Sequence, residues 1–227
     1  KWYEYKDKLV KSLTRVHKKM TKWTKKYLII EWIIINTKKI NLNKIAQKEY
    51  SEKNVNINTI KNTWLNWHNE ARRKWWLPPY SYDTRLDNSA FEWSYISRKK
   101  WVMEHKRNYF DKYYDYNIIE KWFNDRGVNC KVKNWTTSSE SIGQFGYYCN
   151  DGECTDELLK SLRKIFDMYM AEVWLPYPQN AHYKAIMHRD ISKLWLWITI
   201  QESFTDTYEN YRSFNYYATT HYCTEFK

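Results

Sequence analysis

Glycine and proline are scarce in this chain of 227 residues, which contains four of each. Average usage would give roughly 16 glycines and 11 prolines. Because tight turns depend on these two residues, few such turns are available, and a sandwich or barrel of many short strands is disfavoured. Long helices need few of them. The scarcity therefore favours an all-α fold.

Apolar residues recur at helical spacing along most of the chain. The strongest stripe covers residues 9–34 in alternating steps of four and three, which is typical of a long amphipathic helix. A capping box formed by Ser89 and Glu92 predicts a helix that continues to Asn124, and Thr155 is predicted to cap another that extends to about Val173. We therefore predict an irregular bundle of about five or six helices with a cysteine-bearing loop insertion.

The C-terminal quarter is more ambiguous. A helical spacing continues from about Asn180 through the apolar residues Met187, Ile191, Leu194 and Ile198. The segment from Trp195 to Ile200 also fits a strand, because a short buried apolar run has no distinctive period. We predict a helix there and leave the tyrosine- and threonine-rich tail from Tyr208 to Cys223 unassigned.

Charge divides the chain into two regions. Residues 1–79 contain 19 Lys and Arg against 6 Asp and Glu, whereas residues 80–227 contain 19 against 20. The first third therefore carries essentially all of the formal net charge of +12. We predict a basic helical region at 1–79 and a near-neutral, mainly helical region at 80–227 with the cysteine-bearing loop at 128–154; the two form either separate domains or one continuous domain.

Tryptophan and basic residues are interleaved between Asn62 and Pro79. A positive stripe among aromatic rings can follow phosphates, sulfated glycans or anionic lipid head groups while the rings make close contacts. The alternative is that the cations only keep the outer face of a helix soluble and the tryptophans belong to the core. The predicted binding residues are Trp64, Trp67, Arg72, Arg73, Lys74, Trp75 and Trp76.

A second interpretation of this region is a DNA-binding motif. Residues 41–50 form an amphipathic pattern, a polar turn follows, and the tryptophan-rich helix comes next. This is the outline of a helix-turn-helix over residues 41–76. The turn lacks the glycine that such motifs usually carry, and consecutive helices are common in any bundle.

The cysteines indicate the compartment. An even number, concentrated in an irregular loop, favours disulfides, and four cysteines allow three pairings. One alternative is a zinc site formed by Cys149, Cys154, His221 and Cys223, although the spacing fits no common zinc pattern. The other is four free thiols. The candidates are Cys130, Cys149, Cys154 and Cys223. Asn134, in the sequon Asn134-Trp135-Thr136 of the same loop, is a candidate for glycosylation.

The sequence contains no recognisable catalytic arrangement. The glycine shortage excludes a Walker loop and a Rossmann fingerprint, since both need glycines where backbone approaches phosphate. The tripeptide His188-Arg189-Asp190 matches the core of the protein kinase catalytic loop, but the rest of that signature is missing. We therefore expect no enzyme, no cofactor and no metal.

These observations favour non-enzymatic recognition by a secreted or surface-exposed protein: an adhesin, a receptor ligand or a cell-cell signal. Its basic aromatic helix would bind an anionic partner, which is a protein receptor or a polyanion such as a sulfated glycan or an anionic surface. No transmembrane segment is predicted. The alternative is an intracellular nucleic-acid-binding protein that uses residues 41–76.

Overall fold

A computed structural model describes residues 55–108, 111, 115–149, 152–206 and 211–227, all of which belong to the compact unit Ala46–Lys227. The predicted stripe at 9–34 and the first helix of the predicted helix-turn-helix lie outside these residues. The described residues form five α-helices: α1 (Ile57–Arg73), α2 (Asp87–Lys100), α3 (Tyr116–Asn124), α4 (Thr155–Ala171) and α5 (Ala181–Met187). They also form four strands: β1 (Ser81–Tyr82), β2 (Ser138–Cys149), β3 (Lys193–Asp206) and β4 (Tyr211–Cys223).

The fold is therefore α+β, and the prediction of an all-α bundle was wrong. The four strands make one mixed sheet in the order β1-β3-β4-β2. The two-residue strand β1 is parallel to β3, while β3, β4 and β2 are joined antiparallel. The pairing of β2 with β4 is continuous from Ser138 opposite Cys223 to Cys149 opposite Arg212.

The predicted C-terminal helix was wrong because the segment is apolar on both faces. The helix α5 ends at Met187, and β3 begins at Lys193. Along β3 the side chains of Leu194, Leu196, Ile198 and Ile200 recur with a period of two and are 0–3% exposed. Trp197 and Thr199, which point to the opposite face, are buried as well. Such a strand lacks the alternation of polar and apolar residues that distinguishes strand from helix.

Helices cover both faces of the sheet. On one face, α1, α4 and α5 share the main core with β3 and β4. On the other face, Phe91 of α2 packs its ring 5.1 Å from that of Trp197, and Phe123 of α3 lies 4.5 Å from the ring of His221. The described residues consequently form three layers, with the sheet in the middle.

The cysteine-bearing loop predicted at 128–154 contains the strand β2. Glycine favours turns, but Gly143 is within the strand and permits a close approach of α4. A Cβ atom at this position would lie 2.7 Å from Cδ1 of Ile165 and 3.0 Å from the hydroxyl oxygen of Tyr169. A glycine inside a strand often marks such a contact, so its presence did not exclude β structure.

The single helix predicted from Ser89 to Asn124 is two helices. The first, α2, begins at Asp87, and Ser89 is a buried residue of its first turn. It ends before Trp101, whose φ of +58° is left-handed and stops the helix as a C-terminal cap. No glycine or proline marks this break, which is why sequence reasoning missed it.

The prediction of disulfides is confirmed. Cys130 is bonded to Cys223, which joins the segment after α3 to the end of β4, and Cys149 is bonded to Cys154, which closes the short connection between β2 and α4. All four cysteines are therefore engaged, and His221 is hydrogen-bonded to Ser89 and Glu140. The alternative zinc site is thus not formed.

The two disulfides should differ in their effect on stability. Cys130–Cys223 closes a loop with a sequence separation of 93 and Cys149–Cys154 one of 5. By the loop-entropy relation, removing the first should lower the free energy of unfolding by about 4 to 5 kcal/mol and removing the second by about 2 kcal/mol. Denaturant unfolding of Cys130→Ser/Cys223→Ser and Cys149→Ser/Cys154→Ser measures both. Equal losses would contradict this ranking.

Candidate functional site

The predicted binding residues of α1 are divided by the fold between core and surface. Trp64 is 1% exposed and donates a hydrogen bond from Nε1 to Oγ1 of Thr220 at 3.0 Å. Trp67 is half-buried, with its ring 5.9 Å from that of Phe166 of α4. The helical spacing of these tryptophans therefore marks the core face of α1.

Arg72 is fully buried and holds backbone instead of ligand. Its guanidinium donates hydrogen bonds to four carbonyl oxygens: Pro78 at 2.6 Å, Ile186 at 2.8 Å, His188 at 2.9 Å and Ile191 at 3.2 Å. Burial lowers the pKa of this side chain. Every nitrogen of the guanidinium nevertheless donates to at least one carbonyl oxygen, so Arg72 is a structural residue that fixes the end of α1 to the segment after α5.

The remaining four predicted residues are exposed. Arg73 and Lys74 are on the surface at the end of α1, and Trp75 and Trp76 are 62% and 94% exposed. Trp76 has a left-handed φ of +57°, so the chain turns sharply away from the helix there. Of the seven predicted residues, the structure thus places these four together where a partner can reach them.

Further exposed apolar side chains occur after α4 and before β2. Trp135 is 96% exposed, Trp174 89%, Tyr177 63% and Leu175 45%. We call the set the aromatic end, and it consists of Trp75, Trp76, Trp135, Trp174, Leu175 and Tyr177. Sequence reasoning missed the last four, because a tryptophan in a loop carries no periodic signal of exposure.

The directions of α1 and α4 bring these side chains to one end of the fold. At the start of the two helices, the backbone N–H of Asn56 donates to Oγ1 of Thr155 at 2.6 Å. Further along, the ring of Trp64 lies 5.7 Å from Phe166 and 6.4 Å from Tyr169. The helices therefore run in parallel, and their exposed aromatic extensions leave from the same side.

Contacts around α5 link the segments of the aromatic end. Glu172 accepts a hydrogen bond from the backbone N–H of His182 at 3.0 Å, which joins the segment of Trp174 to α5. The carbonyl oxygen of His188 accepts a hydrogen bond from Arg72. The imidazole Nε2 of the same His188 lies 3.0 Å from Oγ1 of Thr136, next to Trp135. The short helix α5 and the loop after it thus hold all three segments.

The glycosylation candidate lies in one of these segments. Asn134 and Trp135 have φ values of +43° and +68° and form a two-residue turn closed by reciprocal backbone bonds of 2.8 Å between Lys133 and Thr136. Nδ2 of the exposed Asn134 donates to both carboxylate oxygens of Asp190 at 3.1 Å. A glycan at Asn134 would therefore be on the surface and would alter this contact.

A cleft that sequence reasoning missed lies beside β2, at the edge of the sheet. Its volume is about 390 Å³. The lining residues come from the segment after α2, from β2, from α5 and from β4, and are Met103, His105, Ile142, Gly143, Gln144, Phe145, Gly146, His182 and Asn215. No local spacing connects them, because the two histidines are far apart in sequence.

Two imidazoles face this cleft, each oriented by a carboxylate. Nδ1 of His105 lies 2.9 Å from Oε1 of Glu140, and Nδ1 of His182 lies 2.6 Å from Oε1 of Glu172. The rings are 6.1 Å apart, and Tyr169 stacks on His182 at 4.2 Å. Nε2 of His182 is buried and has no hydrogen-bond partner within the described ranges.

Glu140 is the centre of a buried polar cluster behind the cleft. Arg107 donates to both of its carboxylate oxygens, at 3.0 and 2.5 Å, and His105 and His221 contact one oxygen each. Burial raises the pKa of Glu140, but Arg107 and the two imidazole hydrogen bonds hold it well below its usual range. Glu140 is therefore an ionised carboxylate inside the protein.

One part of this cluster has the connectivity of a catalytic triad. Oγ of Ser89 lies 2.9 Å from Nδ1 of His221, whose Nε2 lies 2.8 Å from Oε2 of Glu140. However, Ser89 and His221 are 0% exposed and Glu140 is 2% exposed. No substrate can reach the serine oxygen, so the arrangement connects α2 to the sheet and does not perform nucleophilic catalysis.

The cleft itself is suited to hydrogen bonding. A carboxylate that contacts Nδ1 of an imidazole fixes the orientation of the ring. In the described part of the chain, however, no group of three or more His, Cys, Asp or Glu side chains is placed to hold a metal ion. The geometry therefore gives this cleft a polar wall of two imidazoles, each oriented by a carboxylate.

Known proteins give little help with function. The sequence matches no protein-family model and no curated protein. Among solved structures, an outer surface protein from Borrelia burgdorferi is 13% identical, with a TM-score of 0.44 over 73% of this chain and 92% of that chain. MpPR-1i is also 13% identical, with a TM-score of 0.42 over 76% and 92%. Both similarities are distant and assign no function.

The different roles of two adjacent arginines give a matched stability test. Arg72→Ala should lower the free energy of unfolding by about 3 kcal/mol or more, because it leaves four carbonyl oxygens without their donor. Arg73→Ala removes the same charge from an exposed side chain and should change it by no more than about 0.5 kcal/mol. Urea unfolding compares the two variants, and similar values would refute the structural role of Arg72.

The buried His68 should make stability dependent on pH. Burial lowers its pKa from 6.5 to about 3, and the nearby Arg72 acts in the same direction, although the hydrogen bond to the carbonyl oxygen of Trp64 opposes both. Between these values the unfolded chain binds more protons, so the free energy of unfolding falls as the pH falls. From pH 6.5 to about 5 this histidine should contribute a loss of about 2 kcal/mol.

The measurement is urea unfolding of the parent and of His68→Gln at about pH 7.5 and pH 5. Burial also lowers the pKa of His221, although Glu140 opposes the shift. The parent should therefore lose more free energy of unfolding than His68 alone accounts for. His68→Gln should show only the loss of unfolding free energy that comes from His221. An unchanged pH dependence in His68→Gln would show that His68 is not the titrating group.

Proposed function

We propose that this protein is a secreted or surface-exposed recognition protein, without enzymatic activity, that binds an anionic partner through its aromatic end. The observation that carries the proposal is the gathering of Trp76, Trp135 and Trp174 from three separate segments at one end, each at least 89% exposed. Exposed aromatic side chains are the residues that most often anchor a binding partner.

The disulfides support an extracellular location. Disulfides persist in oxidising compartments and are rare in the reducing cytosol. The exposed sequon at Asn134 agrees with a secretory route. Among the described residues, none of the helices is long and apolar enough to cross a membrane. The intracellular nucleic-acid-binding alternative requires a compartment in which these bonds are rare.

The charge distribution provides attraction at longer range. Residues 1–54 contain 15 Lys and Arg against 5 Asp and Glu, a net charge of +10. Within the aromatic end, Arg73 and Lys74 are exposed next to Trp75 and Trp76. A positive field raises the rate at which an anionic partner is met, while the aromatic side chains and their neighbouring cations make the close contacts.

The test compares two pairs of cations in the full-length protein. Arg73→Ala/Lys74→Ala removes the cations of the aromatic end, and Lys99→Ala/Lys100→Ala removes two exposed cations that likewise precede an exposed tryptophan, Trp101, on the opposite face of the sheet. Binding to heparin, measured by fluorescence anisotropy at several salt concentrations, should weaken about tenfold in the first variant and less than about twofold in the second.

Equal losses in the two variants would overturn the assignment of the site, since net charge alone would then explain binding. Duplex DNA in the same assay tests the alternative function. Preferential, steeply salt-dependent binding to DNA, together with four free thiols in the native protein by intact mass, would replace this proposal by the nucleic-acid one.

A further inference from the structure

We infer that the partner of the aromatic end is an anionic lipid surface, and that the end docks by placing its tryptophan and tyrosine rings in the head-group layer. This inference rests on the proposed function, because it names the partner class for the same surface. The projection of the rings, their chemistry and the charges beside them favour this partner.

Rigid turns present the most exposed rings. Trp76 has a left-handed backbone and is followed by Pro78 and Pro79. Trp135 is the second residue of the two-residue turn, and Trp174 ends a short 3-10 helix, Glu172–Trp174. Because these turns are short and fixed by Pro or by left-handed residues, the rings are held away from the core at little cost in conformational entropy on binding.

The rings project into solvent instead of lining a cavity. The residues that line the cleft beside β2 include none of the six side chains of the aromatic end. Within the described part of the structure, Trp75, Trp76, Trp135 and Trp174 stack on no other ring. A small ligand or a single glycan chain is usually bound in a concave site, whereas a fluid bilayer accepts projecting rings without a matching pocket.

Tryptophan and tyrosine are the side chains preferred at the membrane–water interface. Each has a large apolar ring and a polar group that stays hydrated among the head groups. The aromatic end adds one aliphatic side chain, that of Leu175, between Trp174 and Tyr177. Its composition is therefore that of an interfacial anchor and not that of a deeply inserted apolar segment.

Charges beside the rings favour anionic over neutral lipid. The exposed cations are Arg73, Lys74, Lys184 and Arg189, and Nζ of Lys184 lies 4.7 Å from the ring centre of Tyr177. The acids at this end are Glu70, Glu172, Asp190 and Glu225, and Glu225 is ion-paired with Lys131 and Lys133 beside the turn that carries Trp135. Glu172 is hydrogen-bonded to His182 and Asp190 to Asn134. Cations near an anionic leaflet add electrostatic attraction, so rings and charges act together.

The experiment measures sedimentation of the full-length protein with vesicles of phosphatidylcholine alone and of phosphatidylcholine mixed with phosphatidylserine. The parent should bind the mixed vesicles at least about tenfold more tightly than the neutral ones. Trp76→Ala/Trp174→Ala should lose about tenfold or more of the binding to mixed vesicles. The control Trp101→Ala/Val102→Ala removes exposed apolar side chains elsewhere and should lose less than about twofold.

The outcomes separate this inference from the proposed function. Absence of vesicle binding, with heparin binding that still depends on Arg73 and Lys74, would overturn the lipid surface and leave the recognition function standing. Failure with both vesicles and heparin would overturn both. Equal losses in the two tryptophan variants, with unchanged thermal unfolding, would show that vesicle binding does not use the aromatic end.

Discussion

The buried guanidinium of Arg72 is the interaction on which the end of the molecule depends. A charged group in the interior is costly unless it is hydrogen-bonded. Here four carbonyl oxygens, one after α1 and three at or after the end of α5, accept from all the guanidinium nitrogens. The ring of Tyr80 covers the cation at 4.0 Å. Because these carbonyls belong to a helix end and to irregular backbone, the arginine replaces the helix or sheet ladder that would otherwise satisfy them.

The same solution recurs throughout the core, where tyrosine takes the role that leucine usually has. The hydroxyl group of Tyr80 donates to the carbonyl oxygen of Ala185 and that of Tyr169 to the carbonyl oxygen of Ile142, each from a buried ring that belongs to a hydrophobic core cluster. Such side chains bury area and also satisfy backbone groups where helices meet strands. A core rich in Trp and Tyr is consequently held by specific hydrogen bonds as well as by packing.

The sequence was sufficient to predict features that depend on local chemistry. It was not sufficient for features that depend on contacts between distant segments. The helix from Thr155 and the disulfides followed from an apolar stripe and from an even number of cysteines. The scarcity of glycine led to the wrong fold class, because it limits the number of turns and not the amount of strand. The strands β3 and β4 are long and need few turns. Within the site, no pattern distinguishes Arg72 from Arg73. One is buried and the other exposed because most of the carbonyl partners come from a segment more than 100 residues away.

The helix α5 makes the cleft and the aromatic end parts of one structure. His182, in its first turn, forms a wall of the cleft, while the carbonyl oxygen of Ile186, near its end, accepts from Arg72. Glu172 accepts from the backbone N–H of His182 and Tyr183 and so fixes the start of this helix to the segment that carries Trp174. With only seven residues, α5 is too short to be stable alone and depends on these contacts. The wall of the cleft and the segments that carry Trp76 and Trp174 are therefore supported by the same short helix.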